Sequence, residues 1–134
     1  MKVNNYQQWA KSVFGQCCYA ACLSYLFRKS LDPIIITLDI LNGIRNGFID
    51  FEDAYVSKPL QYIQLIKGVK YRDVEKPKIN SLADLPDGEW IVEYSYNKGS
   101  HFVIADKNGV TFDPAGDSNS VKFGKPVSYR RFIA

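Results

Sequence analysis

Residues 15–22 read Gly15-Gln16-Cys17-Cys18-Tyr19-Ala20-Ala21-Cys22. The chain's one histidine stands far downstream, in Ser100-His101-Phe102-Val103-Ile104-Ala105, and Thr111-Phe112-Asp113-Pro114 follows it. The first stretch decides the fold. Gly15 closes one segment, and beyond it Ala20, Leu23 and Phe27 recur three and four apart with Cys22 and Leu26 beside them, so the spacing predicts a helix over 18–29. Arg28 and Lys29 fall in its last turn, where positive charge suits the helix dipole. Cys18 then opens the helix, where free backbone N–H groups and the positive end of the dipole favour an anion such as a thiolate. Ala20 and Ala21 are small enough for the helix to lie close against a sheet.

Outward from that helix, Tyr6 to Phe14 reads as an extended or short helical lead-in. Asp32-Pro33 is a helix start, a capping carboxylate followed by proline at the first helical position. The β-branched run Ile34-Ile35-Ile36 keeps a strand as the alternative there. Asn42-Gly43 and Asn46-Gly47 break the chain. Ser57-Lys58-Pro59 starts a further short helix, Leu60 to Lys67, ended by Gly68. After Gly68 the period changes from helical to alternating. Strands are expected over Val69–Val74, Glu89–Tyr96, His101–Asp106, Val110–Asp113 and Val127–Ile133, with a polar loop from Pro77 to Gly88 that holds one turn around Leu82–Leu85. Helices first and strands second is an α+β plan: N-terminal helices packed on a C-terminal antiparallel β-sheet. No repeat or linker divides the 134 residues, so residues 1–134 read as a single domain.

The bulk numbers narrow the function classes. A hydrophobic content of 46% supplies one core and argues against disorder, and 14% aromatics fits sheet packing. Net charge is +3 with lysines and arginines scattered, the longest basic run being Arg130-Arg131, so no nucleic-acid partner is expected. No apolar stretch reaches membrane-spanning length and no secretory h-region follows Lys2, so no membrane association and a cytoplasmic location are expected. Three cysteines within six positions do not form a disulfide framework, and reduced thiols fit better.

The chemistry rests on one thiol, one imidazole and one acid. Cys18 is the candidate nucleophile, with Cys17 the alternative one residue away. Cys22, one turn beyond Cys18, is expected in the core. A free cysteine is more often a small buried hydrophobe than a reactive thiol, which is the plain alternative for Cys18. His101 follows the turn Lys98-Gly99-Ser100 and opens an apolar strand, where a polar ring can face a cleft. Asp113 is the expected orienter of the imidazole, with Asp117 as runner-up. Register tests this. A two-residue loop Asn108-Gly109 pairs Val103 with Pro114 and turns Asp113 away. A three-residue loop Lys107-Asn108-Gly109, with Gly109 left-handed, pairs Val103 with Asp113 and places Asp113 on the face of His101. For the oxyanion, Gln16 is the adjacent donor, Gln7 and Gln8 lie further upstream, and the backbone N–H of Cys18 is the second donor. Zinc on Cys17, Cys18, Cys22 and His101 is disfavoured because adjacent cysteines lack the usual spacer, so neither metal nor cofactor is expected.

These residues carry a resemblance. Cys18-Tyr19-Ala20-Ala21 resembles the Cys-Trp-Ala-Ala that opens the central helix of papain-like cysteine peptidases, with Tyr19 in place of Trp. His101-Phe102-Val103-Ile104-Ala105, then Asn108-Gly109 and Asp113-Pro114, resembles the histidine and acid strands of the C39-like and small phage- or effector-encoded branch. Leu85-Pro86-Asp87-Gly88-Glu89-Trp90-Ile91-Val92 resembles the strand before them. The family's oxyanion glutamine stands upstream of the cysteine, and Ser12 occupies the matching position here. The resemblance implies a papain-like fold, a Cys18-His101-Asp113 triad, and a thiol hydrolase acting on a peptide or isopeptide bond of a protein or peptide substrate, in the host cytoplasm if phage-encoded. A deamidase or acyl-transfer variant is open on the same chemistry, and so is a non-catalytic binding or effector protein on the same scaffold that engages a host protein.

Overall fold

Asp32 accepts a hydrogen bond from Ile34 N at 2.9 Å through its side chain, and Pro33 takes the first helical position. That cap decides the Ile34-Ile35-Ile36 run for helix over strand, because proline fixes the helical φ and the carboxylate satisfies a free N–H. The computed structural model describes residues 17–30, 32–116 and 118–134. The lead-in expected at Tyr6–Phe14, the amides of Gln7, Gln8 and Gln16, and the runner-up acid Asp117 lie outside the described residues.

Three helices come first: α1 (Cys18–Arg28), α2 (Pro33–Arg45) and α3 (Pro59–Lys67). α1 stops at Lys29, which turns left-handed at φ 58° and returns its N–H to Tyr25 O at 2.7 Å. α3 ends at Gly68, left-handed at φ 75°. The strands follow: β1 (Asp73–Glu75), β2 (Trp90–Tyr96), β3 (Gly99–Asp106) and β4 (Gly109–Phe112). A fourth helix, α4 (Asn119–Phe123), precedes β5 (Lys125–Tyr129) and β6 (Arg131–Ile133). The architecture is α+β with two antiparallel sheets, one of order β4-β3-β2-β5 and one pairing β1 with β6.

Four expectations need correction. The strand expected over Val127–Ile133 is two strands in two sheets, β5 and β6, parted at Arg130. The strand expected over Val69–Val74 forms only as Asp73–Glu75, where β6 is available to pair. The turn before His101 is Asn97-Lys98, both at positive φ (49° and 64°), so Gly99 and Ser100 already belong to β3. That geometry is the mirror-image turn whose twist matches paired strands. The break expected at Asn42-Gly43 does not occur: α2 runs on to Arg45, and Gly43 lets Ile49 and Tyr62 approach the helix closely.

Two apolar clusters cover opposite sides of the larger sheet. Ile91, Ile104 and Phe112 pack with Ala20, Ala21, Leu23, Ile36, Ile40 and Ile63 of the helices. Val92, Tyr94, Val103, Ala105 and Tyr129 pack with Ile79 and Leu85 from the loop before β2. Ala20 and Ala21 are fully buried, so α1 lies directly on the sheet and its first residue arrives at the start of β3. A buried ion pair ties α1 to α2: Asp39 accepts from Arg28 Nε at 2.6 Å, Arg28 Nη2 at 2.7 Å and Ser24 Oγ at 2.7 Å.

Candidate active site

Cys17 is the N-cap of α1 and Cys18 its first residue. The Cys17 carbonyl accepts the first helical bond, from Ala21 N at 2.9 Å. The first N–H groups of any helix lack intrahelical acceptors, and α1 carries no acidic side chain in its first turn. An anion at Cys18 therefore meets the positive end of the helix. Cys17 is only 2% exposed and Cys22 fully buried, whereas Cys18 is half-buried and lines a cleft of about 530 Å³. None of the three is in a disulfide. Of the three, Cys18 is the one that both opens the helix and reaches solvent.

His101 is brought to Cys18 by the packing of α1 on β3. Its Nε2–H donates to Asp113 Oδ1 at 2.7 Å, which leaves Nδ1 as the ring nitrogen for the thiol. Cys18 lies near enough to act on the charge of the ring. Burial of the ring works against its charge. The bond to Asp113 and the influence of Cys18 outweigh it and raise the imidazole from 6.5 to about 9. Asp113 is opposed by burial too, yet its carboxyl is held below the usual value of 3.8. His101, Ser118 Oγ at 2.7 Å and Ala115 N at 2.9 Å all donate to it. Cys22 differs: burial first, then the negative fields of Cys18, Asp113 and Cys17, push its thiol well above 9.0. It stays neutral and packs as a hydrophobe.

The register behind the His101–Asp113 contact is reached by a route other than the expected loop. The β3–β4 connection is the two-residue loop Lys107-Asn108, with Asp106 opposite Gly109 and Ala105 opposite Val110. Continued unbroken, that register would turn Asp113 away from His101. A β-bulge intervenes: Ile104 pairs with Phe112, leaving Thr111 as the extra residue. The bulge shifts the ladder by one and restores the pairing in which Asp113 shares the face of His101. Thr111 is pinned there by its hydroxyl, which donates to Glu89 Oε2 at 2.7 Å. Gly109 is at positive φ as expected, 154°, but as the first residue of β4 rather than within the loop.

Beyond Cys18 the cleft is walled by Tyr19, Tyr55 and Phe102, with Arg130 and Lys76 on one side. Phe102 packs against Tyr19 with the rings tilted by 36° and their centroids 4.7 Å apart, and Arg130 lies over the Phe102 ring, 5.1 Å from its centroid. The sequence reading missed Ser118 and Arg130. Ser118 had a signal, since a serine three residues before Val121 with Gly124 beyond is a cap-and-stop pattern, and Ser118 Oγ does accept from Val121 N at 3.3 Å. Arg130 had none, because its place depends on where one strand splits into two. Among the described residues no group of three or more His, Cys, Asp or Glu side chains could hold a metal ion, and no helix is long and apolar enough to cross a membrane. Comparison of the chain with protein-family models, with curated proteins and with solved structures finds no match.

Proposed function

We propose that the chain is a thiol hydrolase of the papain-like type, acting on a peptide or isopeptide bond through Cys18, His101 and Asp113. The observation that carries this reading is the His101–Asp113 pair with Cys18 acting on the same ring, and the thiol at a helix N-terminus and on the wall of a cleft. An imidazolium beside a thiol supplies the positive field that favours the thiolate. The Cys18 sulfur attacks the carbonyl carbon, and the carbonyl oxygen takes the negative charge toward the free N–H groups at the start of α1. His101 gives its proton to the leaving amine as the C–N bond breaks, which leaves a thioester on Cys18. His101, now neutral, takes a proton from water as the water oxygen attacks the thioester carbon; the C–S bond then breaks, releasing the acid and restoring the Cys18 thiolate beside the imidazolium. Asp113 holds the ring by Nε2 throughout and stabilises its charged form.

Alkylation tests this. With limiting iodoacetamide, labelling mapped by mass spectrometry should fall on Cys18, faster than on free cysteine at mildly acidic pH, and should slow on His101→Ala. Dominant labelling of Cys22 or Cys17, or a Cys18 rate that ignores His101→Ala, would favour a non-catalytic protein on this scaffold.

A further inference from the structure

β1 and β6 are antiparallel, with Glu75 opposite Arg131, and the same register resumes where Lys78 bridges to Ser128 and Tyr129 N donates to Pro77 O at 3.1 Å. Between those two points Lys76 falls opposite Arg130. Both line the cleft that holds Cys18. Like charges directly opposite each other on neighbouring strands repel, so this placement is costly unless something negative sits between them.

The protein supplies only part of that charge. The Arg130 side chain is 7% exposed, and its Nη2 donates to Glu93 Oε1 at 3.1 Å while Nη1 donates to Ser128 Oγ at 2.9 Å. Glu93 is already shared, accepting from Ser100 and Ser128 hydroxyls as well. Asp53, the carboxylate in the cleft lining, is turned onto its own loop, accepting from Tyr55 N at 3.0 Å. Lys76 is exposed and pairs with no carboxylate among the described residues. The cleft wall thus holds one guanidinium fixed by Glu93 and one ammonium with no carboxylate partner among the described residues.

We propose that the cleft is an anion subsite, in which Lys76 and Arg130 together bind a carboxylate of the substrate near the bond presented to Cys18. The substrates are then peptides carrying either an acidic side chain or a free C-terminal carboxylate. A carboxylate there offers Lys76 a charge-assisted bond and relieves the repulsion across the strands. This rests on the thiol hydrolase reading for its bond cleavage, but the binding itself does not.

The test is protection of Cys18 from iodoacetamide by short peptides that differ only in charge. One is blocked at both ends and contains Glu, one is the same with Gln, and one is the Gln peptide with a free C-terminal carboxylate. At least one carboxylate-bearing peptide should protect at lower concentration than the neutral one. That advantage should shrink by up to about fivefold in Lys76→Gln, the upper end expected for one exposed ion pair. Which of the two carboxylate peptides protects distinguishes side chain from terminus. No advantage for either, including no protection by any peptide, or an advantage unchanged in Lys76→Gln, overturns the subsite. The two readings fail separately. Rapid, His101-dependent labelling with no carboxylate preference removes the subsite alone, and a carboxylate preference with slow, His101-independent labelling removes the hydrolase reading alone.

Discussion

His101 is the chain's only histidine, so its ring can be followed by NMR through one pair of signals. Burial alone would lower its pKa. The bond it gives to Asp113 and the influence of Cys18 reverse that and carry it from 6.5 to about 9. At about 1.4 kcal/mol for each tenfold change in proton affinity, the folded chain favours the imidazolium by roughly 3 kcal/mol. The side chain is 13% exposed, so solvent screening takes little from that figure. The sign follows from linkage. A group whose folded pKa lies above its unfolded one lends stability below the unfolded value, here 6.5, and loses it as pH rises through about 9. Asp113 acts at the other end, lending stability above 3.8 that is lost as pH falls through its lowered folded value. The ring should therefore titrate near 9. Asp113→Asn and Cys18→Ala should each move it down, and urea stability should fall more steeply between about pH 6.5 and 9 in the native chain than in His101→Gln. A ring that titrates at or below 6.5, indifferent to both substitutions, would refute the contact chain on which the site is built.

Gly109→Val should destabilise by about 1–3 kcal/mol in urea melts, the usual cost of a sparsely populated backbone conformation. Nothing lies within 4 Å of where its Cβ would stand, so at φ 154° the cost is strain rather than collision. Ser118→Ala should cost about 1 kcal/mol as a lost helix cap. It should also let the Asp113 carboxyl rise, since Ser118 is one of the donors holding it down, which an NMR titration of that carboxyl would read. Arg28→Ala should cost about 3 kcal/mol in thermal or urea unfolding, the lower end for a broken buried pair because Arg28 is part-exposed. It leaves Asp39 buried with Ser24 as its remaining partner among the contacts described.

The helices were legible because their signals are local. Asp32-Pro33 carries its own start, Pro59 and Gly68 bracket another helix, and the Ala20, Leu23, Phe27 spacing marks a third. The strand interiors were legible for the same reason, since alternation in Glu89–Tyr96 and His101–Asp106 needs no partner to be seen. What failed was where strands begin, end and change sheets. Val127–Ile133 reads as one strand, and no residue within it announces that Tyr129 belongs with β2 while Arg131 belongs with β1. That split carries Arg130 to the cleft, so the residue most telling about the cleft was also the least readable.

The His101–Asp113 contact shows how a register can follow from the wrong loop. The requirement was a pairing of Val103 with Asp113, and a three-residue loop was the simplest way to obtain it. The chain instead turns in two residues and adds Thr111 as a bulge three residues beyond the turn. Both routes insert one residue on the β4 side, and with a side-chain period of two, one inserted residue decides which face Asp113 takes. The bulge has a further consequence that the loop would lack. It twists the strand end where Asp113 lies, and it sets the Thr111 hydroxyl on Glu89, which also accepts from Tyr25 of α1 at 3.3 Å and faces Lys29 at 3.5 Å. The device that aims the acid at His101 is thereby tied to the helix whose first residue is Cys18. Removing that tie by Glu89→Ala should loosen the His101–Asp113 contact without touching either side chain, and the ring of His101 should then titrate below about 9. A ring unmoved by Glu89→Ala would mean that the hairpin holds its bulge by backbone pairing alone.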